Sequence, residues 1–362
     1  MKATSNKICL SIIIVLTILI AFSVSSVAEQ NRKVDLMVVA GWITQPIYQM
    51  EEKFWTETVP EALKDTVEVN TTMTSLDQIG VKGAAVIRQM EDGIFDVVST
   101  VSDYVVSDYP ELTGLDLPCI AYNIDLFKDI AEVYRPVLEE YAENNFYAKV
   151  IAMTTYPGQY LFLRKPIEKL QDLKGMKIRG SGWSTIKFVE ALNATGVNIS
   201  FAEVTQALQR GIVDGGVTGS LSGYNAKWGE VTSYIYPLPL GGWDPLITYM
   251  NIDTWNKFTP EEQEVILKLA REKFEPEVWK YSAQATQEGI DHLTGTKKEG
   301  EEYAYGEPND LTLIEVKPED IELAKQILME KVLPEWAQMI SEEAIDKWNK
   351  SIGKVVDITI EK

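Results

Sequence analysis

Histidine and cysteine are nearly missing from this chain of 362 residues. It has one histidine, His292, and two cysteines, Cys9 in an N-terminal apolar run and Cys119. Because one remaining thiol cannot form an internal disulfide, stability must come from packing. Acid–base catalysis near neutral pH usually employs histidine, and we expect His292 to be a surface or packing residue. These absences argue against an enzyme.

The short motifs of cofactor and metal chemistry are missing as well. No phosphate loop, paired-cysteine motif or HExxH zinc motif occurs. Residues 219–223 (GSLSG) resemble a nucleophile elbow, but the central position is Leu221 rather than serine. We therefore predict no catalytic residue, no metal and no cofactor.

Positive charge is scarce. The chain has 34 Lys and Arg against 54 Asp and Glu, a formal charge of −20. Such a surface repels nucleic acids and anionic lipids, which points to a soluble carrier or an enzyme rather than a nucleic-acid-binding protein. An anionic ligand would then need a local positive site.

The N-terminus predicts a secretory signal peptide. Residues 8–24 form an apolar run, Lys2 and Lys7 precede it, and a stretch of small residues follows it and ends at Ala28. Cleavage after Ala28 would lower the formal charge to −22 and leave a periplasmic protein. An uncleaved membrane anchor stays open as an alternative, because about 18 apolar residues can span a bilayer.

The rest of the chain alternates between strand and helix patterns, which predicts an α/β fold. The first set has strands at 34–40, 67–73 and 95–101 and helices at 46–63 and 78–90. The second has strands at 176–179, 197–200 and 212–218 and helices at 184–192 and 203–209. Two βαβαβ units predict two lobes, with a ligand in the cleft at the carboxyl ends of their strands.

Lobe boundaries follow from where the chain crosses between the two units. We place the crossings near 157–158 and 244–245, and a long helix after Thr259, kinked at Pro276, bridges the lobes. The predicted segments are a signal peptide at 1–28, lobe I at 29–156 plus 246–284, and lobe II at 157–245 plus 285–362. Hinge closure on a ligand is expected.

Arg179 is the candidate anion clamp. It lies at the end of a predicted strand before Gly180 and Gly182, and its planar fork of donors fits a carboxylate. An anion there would also meet the N-terminus of the helix that follows. The alternative is that Arg179 only ends the strand and pairs with a surface acid.

A resemblance to a known family favours the clamp. The residues that carry it are 165–167 (KPI), 172–179 (DLKGMKIR), 203–204 (EV), 207–209 (ALQ), 213–215 (VDG) and 226–231 (AKWGEV). In order and spacing these segments resemble the substrate-binding proteins of tripartite ATP-independent periplasmic (TRAP) transporters, the dicarboxylate-binding family. The resemblance implies a secreted, two-lobed protein that closes on a small organic acid and passes it to membrane permease subunits. It also implies that Arg179 binds the ligand's carboxylate.

Departures from the family pattern narrow the expected ligand. Residues 216–219 (GVTG) replace a run that carries a metal-binding carboxylate in some relatives, which argues against metal dependence. Gln159 stands where sialic-acid-binding relatives have a second arginine. Tryptophans expected near the cleft suggest a monocarboxylate with an apolar or aromatic body, although each could instead pack in the core. The expected ligand-binding residues are Arg179, Trp183, Thr218, Gln159, Trp42, Trp243 and Val101.

Three functions remain open at this point. The leading one is a monomeric binding protein for transport. The others are a ligand-sensing partner of a membrane receptor and an extracytoplasmic enzyme on the same scaffold, for which the near-absence of histidine is unfavourable.

Overall fold

The structure is a computed structural model that describes residues 32–81, 83–297 and 302–361. The predicted signal peptide and its cleavage site lie outside the described residues. Within those ranges, no helix is both long enough and apolar enough to cross a membrane.

Two sheets organise the described chain. Its strands are β1 (Arg32–Ala40), β2 (Val67–Ser75), β3 (Val97–Val101), β4 (Ala148–Thr155), β5 (Gln159–Leu163), β6 (Lys177–Gly180), β7 (Thr195–Asn198), β8 (Gly215–Gly219), β9 (Tyr234–Tyr236), β10 (Pro245–Asn251) and β11 (Thr312–Leu313). Its α-helices are α1 (Pro46–Lys53), α2 (Val59–Leu63), α3 (Ala85–Glu91), α4 (Ile124–Asn145), α5 (Trp183–Ala191), α6 (Phe201–Gln209), α7 (Ser220–Asn225), α8 (Ile252–Trp255), α9 (Pro260–Leu269), α10 (Glu275–Thr294), α11 (Pro318–Ile327), α12 (Leu333–Ala337), α13 (Glu342–Lys350) and α14 (Ile352–Val356).

The first sheet, which defines lobe I, has the strand order β2-β1-β3-β10-β4. β1 pairs in parallel with both β2 and β3, as the first βαβαβ pattern predicts. β10 runs antiparallel to β3 and to β4. A strand from late in the chain thus completes the first sheet, which requires the chain to cross between the lobes.

The second sheet defines lobe II and has the order β11-β9-β5-β8-β6-β7. β6 pairs in parallel with β7 and β8, which confirms the second unit, while β5 is antiparallel to β8. The predicted two-lobed α/β fold is therefore confirmed. The sequence patterns missed β4 and β5, whose residues are almost all buried and show no alternation.

One predicted helix is much shorter than expected. The pattern at 78–90 predicted a helix from Gln78, but α3 begins at Ala85. Gly80 and Gly83 have φ of +66° and +60°. These left-handed residues end any helical turn before it can propagate, so the segment ahead of α3 is a series of turns.

Three helices contain a π-helical turn, and each turn ends two residues before a proline. The turns are Phe54–Thr58 before Pro60, Ala270–Phe274 before Pro276, and Leu328–Val332 before Pro334. Proline has no N–H and its ring crowds the preceding turn. The expected disturbance at Pro276 therefore takes the form of a widened turn just ahead of it.

The long helix formed by α9, the π turn and α10 contacts both lobes. On lobe I, Phe274 stacks on Phe54 at 4.9 Å, and the Trp279 indole N–H donates to the Met153 carbonyl at 3.0 Å. On lobe II, the Ser220 hydroxyl donates to the Thr286 carbonyl at 2.8 Å. The helix is a bridge between the sheets.

The last helices pack differently from the expected lobe boundary, which assigned residues 285–362 to lobe II. The indole N–H groups of Trp336 and Trp348 donate to the carbonyls of Pro110 and Gly114, in the segment after β3. These contacts favour assigning α12 to α14 to lobe I, and the exact division of the chain stays a proposal.

Candidate ligand-binding cleft

Arg179 lies inside lobe II rather than at its surface. Its side chain is 2% exposed, with the guanidinium carbon 5.9 Å from the centre of the Trp228 ring. Nε donates to the Ile199 carbonyl at 3.1 Å and Nη1 to the Val217 carbonyl at 2.7 Å. These bonds fix the plane of the guanidinium, and among the described residues no acid forms an ion pair with it. The surface ion pair that was the alternative for Arg179 is therefore wrong.

Arg135, the other buried arginine among the described residues, has a carboxylate partner, although its Nε has no partner. Arg135 makes two hydrogen bonds to Glu275, at 2.7 and 3.1 Å, and both side chains are nearly inaccessible. Burying a charge without a partner is costly. Arg179 differs from Arg135 in that no described carboxylate is hydrogen-bonded to it, although Asp244 lies close enough to interact with its charge.

Lobe I supplies the groups that face Arg179. Tyr104, just past β3, is hydrogen-bonded to Arg179, and Asp244 lies close enough for Arg179 to affect the pKa of its carboxyl group. Burial raises the pKa of Tyr104 to about 12, and the cation opposes this rise. The guanidinium is thus covered by the Tyr104 hydroxyl in this closed arrangement.

A small cavity of about 30 Å³ lies beside this group. A cavity of this size has room for about one or two water molecules, so an organic acid can enter only if the surrounding groups move apart. The residues around it come from both lobes and are Trp42, Gln45, Tyr104, Tyr156, Gln159, Phe201, Thr218, Ser222 and Asp244.

Two polar contacts hold the lobes together around the cavity. The Ser222 hydroxyl donates to Oε1 of Gln45 at 3.0 Å. Ser184 donates to Asp103 through its hydroxyl at 2.9 Å and through its backbone N–H at 3.2 Å. Asp103 thus occupies the N-terminus of α5, where we expected the ligand's anion, so that expectation is wrong. A side chain at Gly182 would collide with the Asp103 carboxylate.

Three buried aspartates lie near one another, and Arg179 interacts with one of them, Asp244. Burial raises the pKa of Asp103 to about 6 and that of Asp244 to about 7, and repulsion by Asp103 adds to the rise at Asp244. Burial and repulsion by Asp244 also raise the pKa of Asp116 well above its ordinary value. Asp116 accepts the backbone N–H groups of Trp243 and Asp244, each at 2.8 Å. The site combines one cation with an excess of acid.

The cavity includes some of the residues expected at the cleft. Thr218, Gln159 and Trp42 line it, and Trp42 meets the rings of Tyr104 and Tyr156 edge-on at 5.4 and 5.8 Å. Arg179 is hydrogen-bonded to Tyr104, which lies between it and the cavity. The binding role of each residue stays a proposal.

Three other expected residues are placed elsewhere. Trp243 stacks on Phe127 at 6.2 Å, and its indole N–H donates to the Ala121 carbonyl, so it is a core residue. Val101 is 1% exposed in the core of lobe I. Trp183 is a half-buried first residue of α5 whose ring packs on the core. Trp243 and Val101 are corrected from cleft to core because their faces are covered by apolar neighbours.

Sequence reasoning missed most of the lobe I side. Asp103 and Tyr104 follow Val101 within three residues, so the rule that ligands bind beyond strand ends could have found them had it been carried past the strand. Asp244 lies just before Pro245, at the predicted crossing between the lobes. Because a crossing lies beside the cleft, this position could have marked Asp244 as a cleft residue. Gln45 precedes the proline that opens α1, and nothing in its surroundings marks it as a cleft residue.

The single histidine of the chain is buried away from the cavity. His292 is fully buried among the rings of Tyr224, Tyr303 and Tyr305, and its Nε2 accepts the Tyr305 N–H at 3.1 Å. Within the described ranges no cluster of three or more His, Cys, Asp or Glu could hold a metal ion.

Known proteins share this architecture. Crystal structures of DctP7, a Bordetella pertussis extracytoplasmic solute receptor binding pyroglutamic acid, and of a TRAP periplasmic solute binding protein from Desulfovibrio salexigens with bound orotic acid match with TM-scores of 0.76 and 0.75. Each is 17% identical; they cover 88% and 90% of this chain, and 99% and 100% of their own chains. These likenesses show the fold.

Comparison of the sequence shows the family as well as the fold. The uncharacterized protein YiiZ of Salmonella typhimurium is 29% identical over 204 residues, which are 54% of this chain. The match spans 61% of the length of this curated relative. Residues 43–332 match the bacterial extracellular solute-binding proteins, family 7 (DctP). Because that match covers most of the chain, the protein belongs to family 7 of the bacterial extracellular solute-binding proteins.

Proposed function

We propose that this protein is the periplasmic binding component of a TRAP transporter, which captures a small organic acid between its lobes and delivers it to the membrane permease. The two structural neighbours hold pyroglutamic acid and orotic acid, both of them carboxylic acids. Membership of the solute-binding family supports the same class of ligand here.

One observation carries the proposal. Arg179 is buried, its plane is fixed by two backbone carbonyls, and no described acid pairs with it. A carboxylate of the ligand would supply the missing anion in bidentate geometry. It would take the place of the Tyr104 hydroxyl, or share the guanidinium with it.

Closure would strip water from this ion pair. Trp42, Tyr104, Tyr156 and Phe201 give the cavity aromatic walls, which exclude water and strengthen the attraction between the charges.

Identification of the bound compound tests the proposal. The protein is purified without added ligand, denatured, and the released small molecules are identified by mass spectrometry. We expect a carboxylic acid whose methyl ester binds the refolded protein at least about thirty-fold more weakly. A neutral compound, or an ester that binds as well as the acid, would contradict recognition of an anion by Arg179.

A further inference from the structure

Asp244 stands apart from the other buried acids of this fold. It lies where the chain crosses from lobe II to lobe I, with φ of +45°, and it is 7% exposed. Its backbone N–H donates to Asp116 and its carbonyl accepts from the Tyr156 N–H. Its carboxylate lines the cavity and receives no hydrogen bond from any described residue.

The comparison with other buried aspartates makes this exceptional. Asp103 receives bonds from Ser184, Asp116 receives two backbone N–H groups, and Asp320 receives the Leu170 N–H and the Tyr236 hydroxyl, both at 2.9 Å. Buried polar groups in folded proteins are almost always hydrogen-bonded. The carboxylate of Asp244 is therefore free to bind water or a ligand in the cavity that it lines.

A second unpaired group faces the same space. Gln45 lines the cavity and is 6% exposed; its Oε1 is taken by Ser222, while its Nε2 has no partner. The cavity thus holds an unused acceptor on Asp244 and an unused donor on Gln45. A ligand body made only of hydrocarbon would leave both unpaired at a cost comparable to its gain in burial.

The charges around the cavity also favour a hydrogen-bond donor against Asp244. Asp103 and Asp244 repel each other, and Arg179 is the cation that acts on Asp244. A carboxylate bound to Arg179 would engage that cation and add a negative charge nearby. A donor placed against Asp244 offsets this repulsion, whereas an acid without a donor leaves it uncompensated.

We propose that the ligand carries, besides its carboxylate, an N–H or O–H donor that binds Asp244 and an acceptor that binds Nε2 of Gln45. This inference rests on the proposed function and specifies its ligand as a small acid with a polar body, such as a lactam, imide or hydroxy acid. It replaces the apolar or aromatic body that the tryptophans suggested.

Matched pairs of acids test the donor. L-Pyroglutamate is compared with 5-oxotetrahydrofuran-2-carboxylate, in which an oxygen replaces the ring N–H, and mandelate with phenylacetate, which lacks the hydroxyl. Proline and cyclopentanecarboxylate form a pair with a cationic donor. Thermal shift selects the pair that binds, and calorimetry measures its two affinities in wild type and in Asp244→Asn. Asparagine suits the left-handed backbone of residue 244, so this variant should fold.

We expect the donor-bearing acid to bind wild type about ten-fold to a hundred-fold more tightly than its isostere. In Asp244→Asn that preference should fall to within about three-fold. Asp320→Asn, a buried aspartate of lobe II away from the cavity, is the matched control and should keep the full preference.

The outcomes separate this inference from the proposed function. Equal affinity for both members of a pair, or an unchanged preference in Asp244→Asn, overturns the donor at Asp244 while acid binding stands. If no acid in the panel raises Tm and the compound released from the purified protein is not an acid, the proposed function falls and this inference falls with it.

Discussion

Gln45 and Ser222 join the two lobes across the cavity: the Ser222 hydroxyl donates to Oε1 of Gln45 at 3.0 Å, although 177 residues separate them in the chain. Both side chains are buried and both line the cavity. The two lobes therefore touch at this contact, and we predict that it breaks when the cleft opens. Groups that meet only on closure contribute to affinity by stabilising the bound state.

Ser222→Ala should weaken ligand binding about three-fold to ten-fold, because the closed state loses one hydrogen bond and Gln45 loses a partner. Ser351→Ala removes a hydroxyl that bonds within its own helix region, at 2.6 Å to the Lys347 carbonyl, and is the matched control. Calorimetry with the acid released from the protein, together with X-ray scattering, checks both. An equal loss of affinity in the two variants would mean that Ser222 acts through stability alone.

Arg179→Ala should reduce affinity for the acid by about thirty-fold to several thousand-fold, since the ligand's carboxylate would be buried without a partner. It should also lower stability, because the guanidinium bonds two buried carbonyls and its stem packs near Trp228. Arg179→Lys should recover only part of the binding.

A variant that is destabilised but has an intact cleft shows how much of the lost affinity comes from lost stability alone. Arg135→Met breaks the buried pair with Glu275 and should cost about 3–5 kcal/mol of unfolding free energy. Its affinity for the acid should stay within about two-fold of wild type at a temperature where it is folded. Comparable losses of binding in both arginine variants would remove the special role of Arg179.

Tryptophan fluorescence should report binding through Trp42. Trp42→Phe is expected to abolish most of the ligand-induced change, because Trp42 is the tryptophan on the cavity wall. Trp243→Phe should retain the change and lose about 1–3 kcal/mol of stability, since its indole packs and bonds in the core. Retention of the full signal in Trp42→Phe would place the responding ring elsewhere.

Stability should rise, not fall, as the pH decreases from about 8 to about 5. The pKa of Asp244 and that of Glu51 are raised by burial to about 7, and that of Asp103 to about 6. Between the ordinary carboxyl pKa and these values, the folded state holds protons that the unfolded state does not. The gain is bounded by about 1.4 kcal/mol per pH unit for each group, and it is lost as the pH rises through 7.

Denaturant unfolding at several pH values measures this slope. Asp244→Asn should flatten it, because the amide does not titrate, and Glu51→Gln should flatten it further. Asp116, Tyr104 and Arg179 remain around the site in both variants. A wild-type stability that declines steadily from pH 8 to 5 would show that these carboxyl groups do not hold their protons in the folded state.

Sequence patterns predicted the fold well because the strands and helices of each βαβαβ unit are specified by residues that are close together in the sequence. Runs rich in β-branched residues, such as Val97–Val101, and helix starts such as Thr259 with Pro260 can be read without knowledge of distant residues. The antiparallel place of β10 between β3 and β4, in contrast, depends on the crossing between the lobes.

The cleft was harder to predict because its lobe I half is assembled from distant segments. Gln45 meets Ser222, and Asp103 meets Ser184, through contacts that no periodicity encodes. Tryptophan gave a misleading signal: Trp42 and Trp243 both occur in loops near glycine, yet only the first reaches the cavity. An indole is large enough to fill a core or to line a wall, and composition cannot separate the two.

The π turn at Ala270–Phe274 fixes the rotational phase of the bridging helix. Ile266, Ala270, Phe274 and Val278 recur every four residues and are all buried. In an uninterrupted α-helix such a repeat drifts by about 40° at each step, and the wider turn takes up that drift. Loss of one residue from the turn would restore an ordinary helix but turn its distal part by about 100°. Gly289, which touches the backbone of Ser220 and Leu221, would then face away from lobe II. The number of residues in this helix therefore determines which face of its distal part contacts lobe II. Single-residue insertions or deletions there should be tolerated far less than substitutions.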